Sequence, residues 1–348
     1  MLKTKNQINE ATLTAFTVIM IFSVLDFPKT VAYGISNGLS LCGEIIIPSM
    51  FAFLFVADFT ITSGFCNSFE KIGFISKFLF RLPASTLPTV ILSLTGGFPI
   101  GAKMTAQLFE NGYITENQAK RMLMFCINSG PAFVINTIGF ALLGNIKAGL
   151  LIYTATTLSS IIIGIITRFF ADCSQTVKIK PKSKALPTSE AFVLSVSNAS
   201  VNMLNICSFI LLFSVFSALL DLIKMPDTLS TLIKATTEIT TASVCIKEKA
   251  TPEIFALMLG WGGICVHFQI LGYIKKCKME LWLFLIGRIA NAVLSSVICM
   301  LLFKFIPISL EASTIIYPRV SFSSVPATAG LIIMAGLLVF EVAKKDSI

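Results

Sequence analysis

Apolar runs of roughly twenty residues, separated by short polar turns, recur along the chain and predict membrane-crossing helices. They fall at about 11–27, 31–59, 150–170, 192–223, 255–273, 281–305 and 325–342. Three other stretches are apolar but interrupted. Residues 95–103, inside 88–109, read TGGFPIGAK. Pro99 lacks an N–H and clashes with the preceding turn, and Gly96, Gly97 and Gly101 each weaken a helix by about 1 kcal/mol relative to Ala. Residues 122–142 are interrupted by Asn128-Ser129-Gly130-Pro131, and residues 229–244 contain Glu238-Ile239-Thr240-Thr241. Irregular backbone at membrane depth survives only where it is buried in protein or lines a wet cavity. The first stretch therefore reads as a broken or re-entrant hairpin at a solute site. Residues 63–87, with Lys71, Lys77 and Arg81 among aromatics, fit a helix lying along the cytoplasmic interface.

With 55% hydrophobic and 13% charged residues and a mean hydropathy of +0.85, the chain is too apolar for a soluble globular domain. The net charge of +9 does not indicate nucleic acid, because the cations sit in short loops between apolar runs. Nine cysteines form no CxxC pair, so neither a disulfide framework nor a metal site is implied, and no cofactor is expected. The lipid bilayer is the expected partner, with a homo-oligomer left open.

Residues 171–190, carrying Lys178, Lys180, Lys182 and Lys184, form a basic cytoplasmic linker between halves. LSSIII at 158–163 aligns with LSSVIC at 294–299, and LMF at 123–125 with LML at 257–259, at nearly the same offset. Duplication follows, as an N-terminal helix (1–30), a first repeat (31–170), the linker, a second repeat (191–306) and a C-terminal helix and tail (307–348). Placing the linker and the basic turns on one face requires 88–109 to enter and leave on that face. The halves then have opposite orientation, with the solute site where broken helices meet. The expected fold is all-α and polytopic, with about eight transmembrane helices plus two re-entrant or broken segments in an inverted repeat.

Gly97, Pro99 and Gly101 would shape the solute site. A cation at a helix centre costs about 2.5–3.5 kcal/mol, so Arg288 is expected either to hold an anion or to pair with Glu238 or Glu44. Lys103 is either a carboxylate ligand or a side chain reaching to the interface. Asn128 and Ser129 either contact solute or cap broken helices. His267, near Gln269, is either a satisfied core residue or a proton carrier. Glu44 and Glu238 would couple transport to an ion or neutralise the cations. Two cations with a gap between them suit a small anionic solute.

The run TGGFPIGAK, then FCINSGPAF, TEIT and GWGGICVHFQ, resembles the sporulation integral membrane proteins of the YlbJ type, in the wider group carrying a nucleoside-recognition Gate domain. Phe98 stands where that pattern expects Tyr, and Ile127 where it expects a second Asn. The resemblance implies a transporter in the bacterial cell membrane, in the outer membrane of the forespore, with dipicolinate as cargo. A nucleoside-type or ion transporter and a structural membrane protein are the alternatives. An enzyme is not expected, since one His and no HExxH offer no catalytic constellation.

Overall fold

Pro48 shows how the sequence shapes the backbone locally. It cannot donate to the carbonyl of Glu44 and its ring crowds that carbonyl, so the long helix α1 (Pro28–Thr62) widens into a π turn at Cys42–Ile46 just before it. The computed structural model describes residues 20–66, 72–171, 186–223, 225–246 and 251–306, with a few isolated positions besides. All regular structure among them is helical. The expected helix at 325–342, most of the linker and part of the first run at 11–27 lie outside the described residues.

After α1 comes a short helix α2 (Phe74–Phe80), bent by 93° from the segment that continues into α3 (Leu87–Thr95). The expected interfacial helix over 63–87 is thus reduced to seven residues, ended by Arg81 in the left-handed region. Helix α4 (Ile100–Glu110) follows the break at Gly96–Pro99. Helix α5 (Glu116–Phe125) opens with a Thr115–Gln118 capping box and stops before Asn128, and the π-helical α6 (Ala132–Leu142) resumes after Pro131. Helix α7 (Ile146–Thr167), capped by Asn145, completes the first half.

The described chain after the linker likewise begins and ends on long helices with broken ones between. Long α8 (Thr188–Leu220) is followed by α9 (Asp227–Thr237), a break at Glu238 and α10 (Ile239–Ile246). Helix α11 (Pro252–Trp261) and α12 (Gly263–Lys276) are divided at Gly262, and α13 (Leu281–Phe305) closes the described chain. Helix α1 packs on α8, and α7 on α13. Five helices, counting each unbent pair as one, are long and apolar enough to cross a membrane, or six with the bent α2–α3 pair. The expected eight are therefore not reached among the described residues.

The linker-side face can be traced by its contacts. Leu186 N donates to Thr62 O, joining the end of α1 to the approach to α8. Arg121 binds the carbonyls of Phe80, Arg81 and Thr167, gathering the ends of α2 and α7 at the start of α5. Glu110 pairs with Lys276 at 3.0 Å, and Lys120 with Glu116 at 3.1 Å and Glu280 at 3.3 Å. The hydrogen bond from Lys120 holds the exposed Glu116 carboxyl below the usual carboxylate range. Both ends of the α3–α4 hairpin belong to this face. The α9–α10 hairpin packs elsewhere, with Ile239, Ala242 and Ile246 in an apolar cluster with Val134, Leu142 and Phe255. A second cluster, on the linker side, contains Leu54, Met122, Met203 and Ile274.

Candidate functional site

Between these two apolar clusters, where Phe98 packs against both, lies a cavity of about 80 Å³. All four interrupted segments reach it. Gly96, Gly97 and Phe98 come from the first break, Ser129 and Gly130 from the second, Glu238 from the third, and Cys265 and Gln269 from the helix that follows the fourth. Ser49 of α1, one residue past Pro48, and Ile206 and Ile210 of α8 complete the wall.

Gly97 has φ +85, a left-handed conformation that costs other residues about 1–2 kcal/mol, and its Cα faces Gly130. Two breaks are thereby packed backbone to backbone. Gly101 does something different from the expected opening of solute space: a Cβ there would sit 1.7 Å from the carbonyl oxygen of Cys126. It admits a neighbouring backbone, not a solute. Pro99, after a cis peptide bond, precedes α4 and does not line the cavity, whereas Phe98 does.

Arg288 is wholly buried and spends its guanidinium on main-chain carbonyls. Nε donates to Trp261 O at 3.1 Å, one terminal nitrogen to Ile127 O at 2.6 Å and the other to Gly260 O. These acceptors are the carbonyls left free where α11 ends and just beyond the end of α5. Among the described residues no ion pair joins it to Glu238 or Glu44. Its charge lies behind Phe98, 5.9 Å from the ring centroid, outside the cavity wall. Arg288, expected either to hold an anion or to pair with a carboxylate, joins main-chain carbonyls from two breaks, and its planar fork satisfies such separated acceptors at once.

Lys103 likewise does not face the cavity. Its Nζ lies 2.7 Å from Asp58 of α1, an acid absent from the candidates named above, and both side chains are buried. His267 bonds Trp261 O through Nε2 at 3.0 Å and packs edge-on against Trp261 and Phe284. It is a satisfied core residue that caps the same helix end as Arg288. Asn128 donates to Phe125 O at 2.9 Å and accepts from Ser160, whose neighbour Ser159 binds Asn291 at 2.6 Å. It therefore caps α5. Glu44 points out of the bundle at the π turn.

Of the candidates, Gly97, Ser129, Gln269 and Glu238 line the cavity. Glu238 caps α10, its carboxylate accepting from Thr240 N at 2.8 Å. The Ser129 hydroxyl is buried without a hydrogen-bond partner among the described residues, which leaves it available to an occupant. The first turns of α6, α10 and α12 also meet here, through Ala132, Thr240 and Cys265. Their N-terminal ends carry partial positive charge, and Arg288 cancels the negative C-terminal ends nearby. Ser49, Thr95 and Thr240 also line the cavity, and a hydroxyl in an apolar run is the sequence signal for each.

Aligned over 344 residues, covering 86% of this chain and 84% of the relative, the sequence is 23% identical to the sporulation integral membrane protein YlbJ of Bacillus subtilis (strain 168). The chain is similar to YlbJ over most of its length. Its apolar helices and that kinship make it a membrane protein related to a sporulation protein. No family model matches, and no solved structure matches.

Proposed function

We propose that this YlbJ-type chain carries a small polar or anionic solute across the membrane, holding it in the cavity where three breaks and the helix after the fourth meet. That convergence is the observation that carries the reading. Breaking a helix in the bilayer exposes backbone groups at a cost of several kcal/mol, a cost that a solute site justifies and a purely structural bundle does not. Helix N-termini favour an anion, while Glu238 in the same wall favours a solute whose negative charge is partly screened by a proton or a cation. Dipicolinate, the cargo implied by the resemblance, fits that class. The membrane around the forespore, also implied by the resemblance, is the proposed location.

The shared order of long and broken helices supports an inverted repeat, with the first hairpin entering from the linker side and the second from the opposite side. Cysteines placed at Glu116 and Lys276 are expected to react with an impermeant maleimide from the linker side, and one at Asp227 from the other. Labelling of Glu116 and Asp227 from one side would overturn the inverted plan.

Uptake into proteoliposomes, measured across aromatic dicarboxylates, nucleosides and amino acids, tests the function itself. The native chain is expected to concentrate at least one of these classes. Ser129→Ala, which removes one solute bond, should weaken uptake about three- to tenfold without changing the amount inserted. Failure of every solute, or uptake indifferent to both Ser129→Ala and Gln269→Ala, would remove the cavity from the account.

A further inference from the structure

Three of the helices that line the cavity, α1, α8 and α12, are joined to one another and to α4, which follows the break at Gly96–Pro99, nearer the linker-side face, and there the joint is polar. Asp58 of α1 is fully buried. Its carboxylate takes Lys103 Nζ at 2.7 Å and Gln107 Nε2 at 2.7 Å, both from α4, and Asn198 Nδ2 of α8 at 2.8 Å. Asn202, one turn along α8, donates to Asn198 O and accepts from the Tyr273 hydroxyl of α12 at 2.9 Å. Helices α1, α8 and α12 thus each contribute a cavity residue and, further toward the linker side, a network residue, while α4 contributes Lys103 and Gln107 to the network. The separations along the axis are roughly 6 Å from Gln269 to Tyr273 and from Ile206 to Asn202, and roughly 13 Å from Ser49 to Asp58. Thr62, Glu110 and Lys276, which mark the linker-side face, each lie about one turn beyond the network.

The opposite wall is built differently. Around α6, α10 and α11 the packed side chains are mainly apolar, Val134, Ile138, Ile239 and Phe255 among them, and among the described residues no buried ion pair joins these helices. An apolar joint loses its stabilisation when water enters. Polar groups exchange protein partners for water at little net cost, so a polar joint opens and recloses more readily. A buried ion pair adds little stability over an apolar core, and its best-attested use is to set one arrangement against another.

We propose that the Asp58–Lys103 pair, with Gln107, Asn198, Asn202 and Tyr273, is the linker-side seal of the cavity, whose separation connects the cavity to that face. The proposal rests on the cavity being a solute site, but its test needs no solute. Cys265 lines the cavity and is buried, so it serves as a native reporter.

In a full-length chain whose other cysteines are replaced by serine or alanine, Cys265 labelling by an impermeant maleimide is followed in right-side-out and inverted vesicles. Asp58→Asn and Lys103→Gln are each expected to raise the linker-side rate about tenfold, because a minor open state becomes more populated. The exchanged pair, Asp58→Lys with Lys103→Asp, should return the rate toward the native value. Should the single-charge variants fail to insert, Asn198→Ala and Tyr273→Phe remove one neutral bond each and should still raise the linker-side rate severalfold. An unchanged linker-side rate in every inserted variant, or a rise only from the opposite side, overturns the seal. Loss of solute uptake with the labelling response intact would instead count against the transport reading alone.

Discussion

Arg288→Gln is expected to leave little monodisperse protein in detergent extracts. The guanidinium is the donor for three carbonyls in a dry interior, two at the end of α11 and one beyond the end of α5. Hydrogen bonds from a charged group contribute about 1.5–3 kcal/mol each, and their loss together, short of full additivity, is expected to cost about 3–5 kcal/mol. Arg288→Lys should recover only part of this, since one ammonium cannot span acceptors contributed by both halves. Combining Arg288→Gln with Glu238→Gln should not restore the protein, because no ion pair within 4 Å joins those side chains among the described residues. Size-exclusion profiles and thermal unfolding in detergent decide it. Recovery by the double change would mean that Arg288 serves to neutralise Glu238 and not to cap broken helices.

Gly101→Ala is expected to destabilise nearly as strongly. The added carbon would lie 1.7 Å from the Cys126 carbonyl oxygen and 2.6 Å from the Ser93 Cβ, neither of which is the far end of a flexible chain. Overpacking of ordinary core sites costs about 1–3 kcal/mol, and an overlap against backbone belongs at or above the top of that range. Gly272→Ala is the matched control: nothing lies within 4 Å of its added carbon, and a helical Gly replaced by Ala should gain roughly 0.5–1 kcal/mol. Equal unfolding temperatures for the two variants would show that α4 and α5 can separate, contrary to their close backbone contact. Gly97→Ala is expected to fall between them, its positive φ costing about 1–2 kcal/mol, and it alone of the three changes the cavity wall.

The difference between Gly97 and Gly101 shows how far local reasoning reaches. Both weaken a helix for the same reason, so both mark the break in the chain. Which one faces a cavity and which one faces a neighbouring backbone depends on the arrival of Gly130 and Cys126, about thirty residues later. The same applies to Asp58. An acid near the end of an apolar run is visible in the sequence, but its pairing with Lys103 and Asn198 depends on the rotation of three helices about their axes.

By itself, the sequence determined what local physics can decide. Apolar runs placed the helices, with 281–305 matching the observed Leu281–Phe305, and proline and glycine placed the interruptions near 96–101 and 128–131, while the break at Gly262 fell inside 255–273, read as one span. Those features depend on a residue and its immediate neighbours. Only the tertiary structure decided what satisfies the interior cation. A buried arginine in a sequence calls for a partner, and carboxylates or a solute are the partners that residue letters can suggest. Arg288 found main-chain carbonyls instead, which every residue carries and which become free acceptors only where a helix is broken and a second one is packed against it.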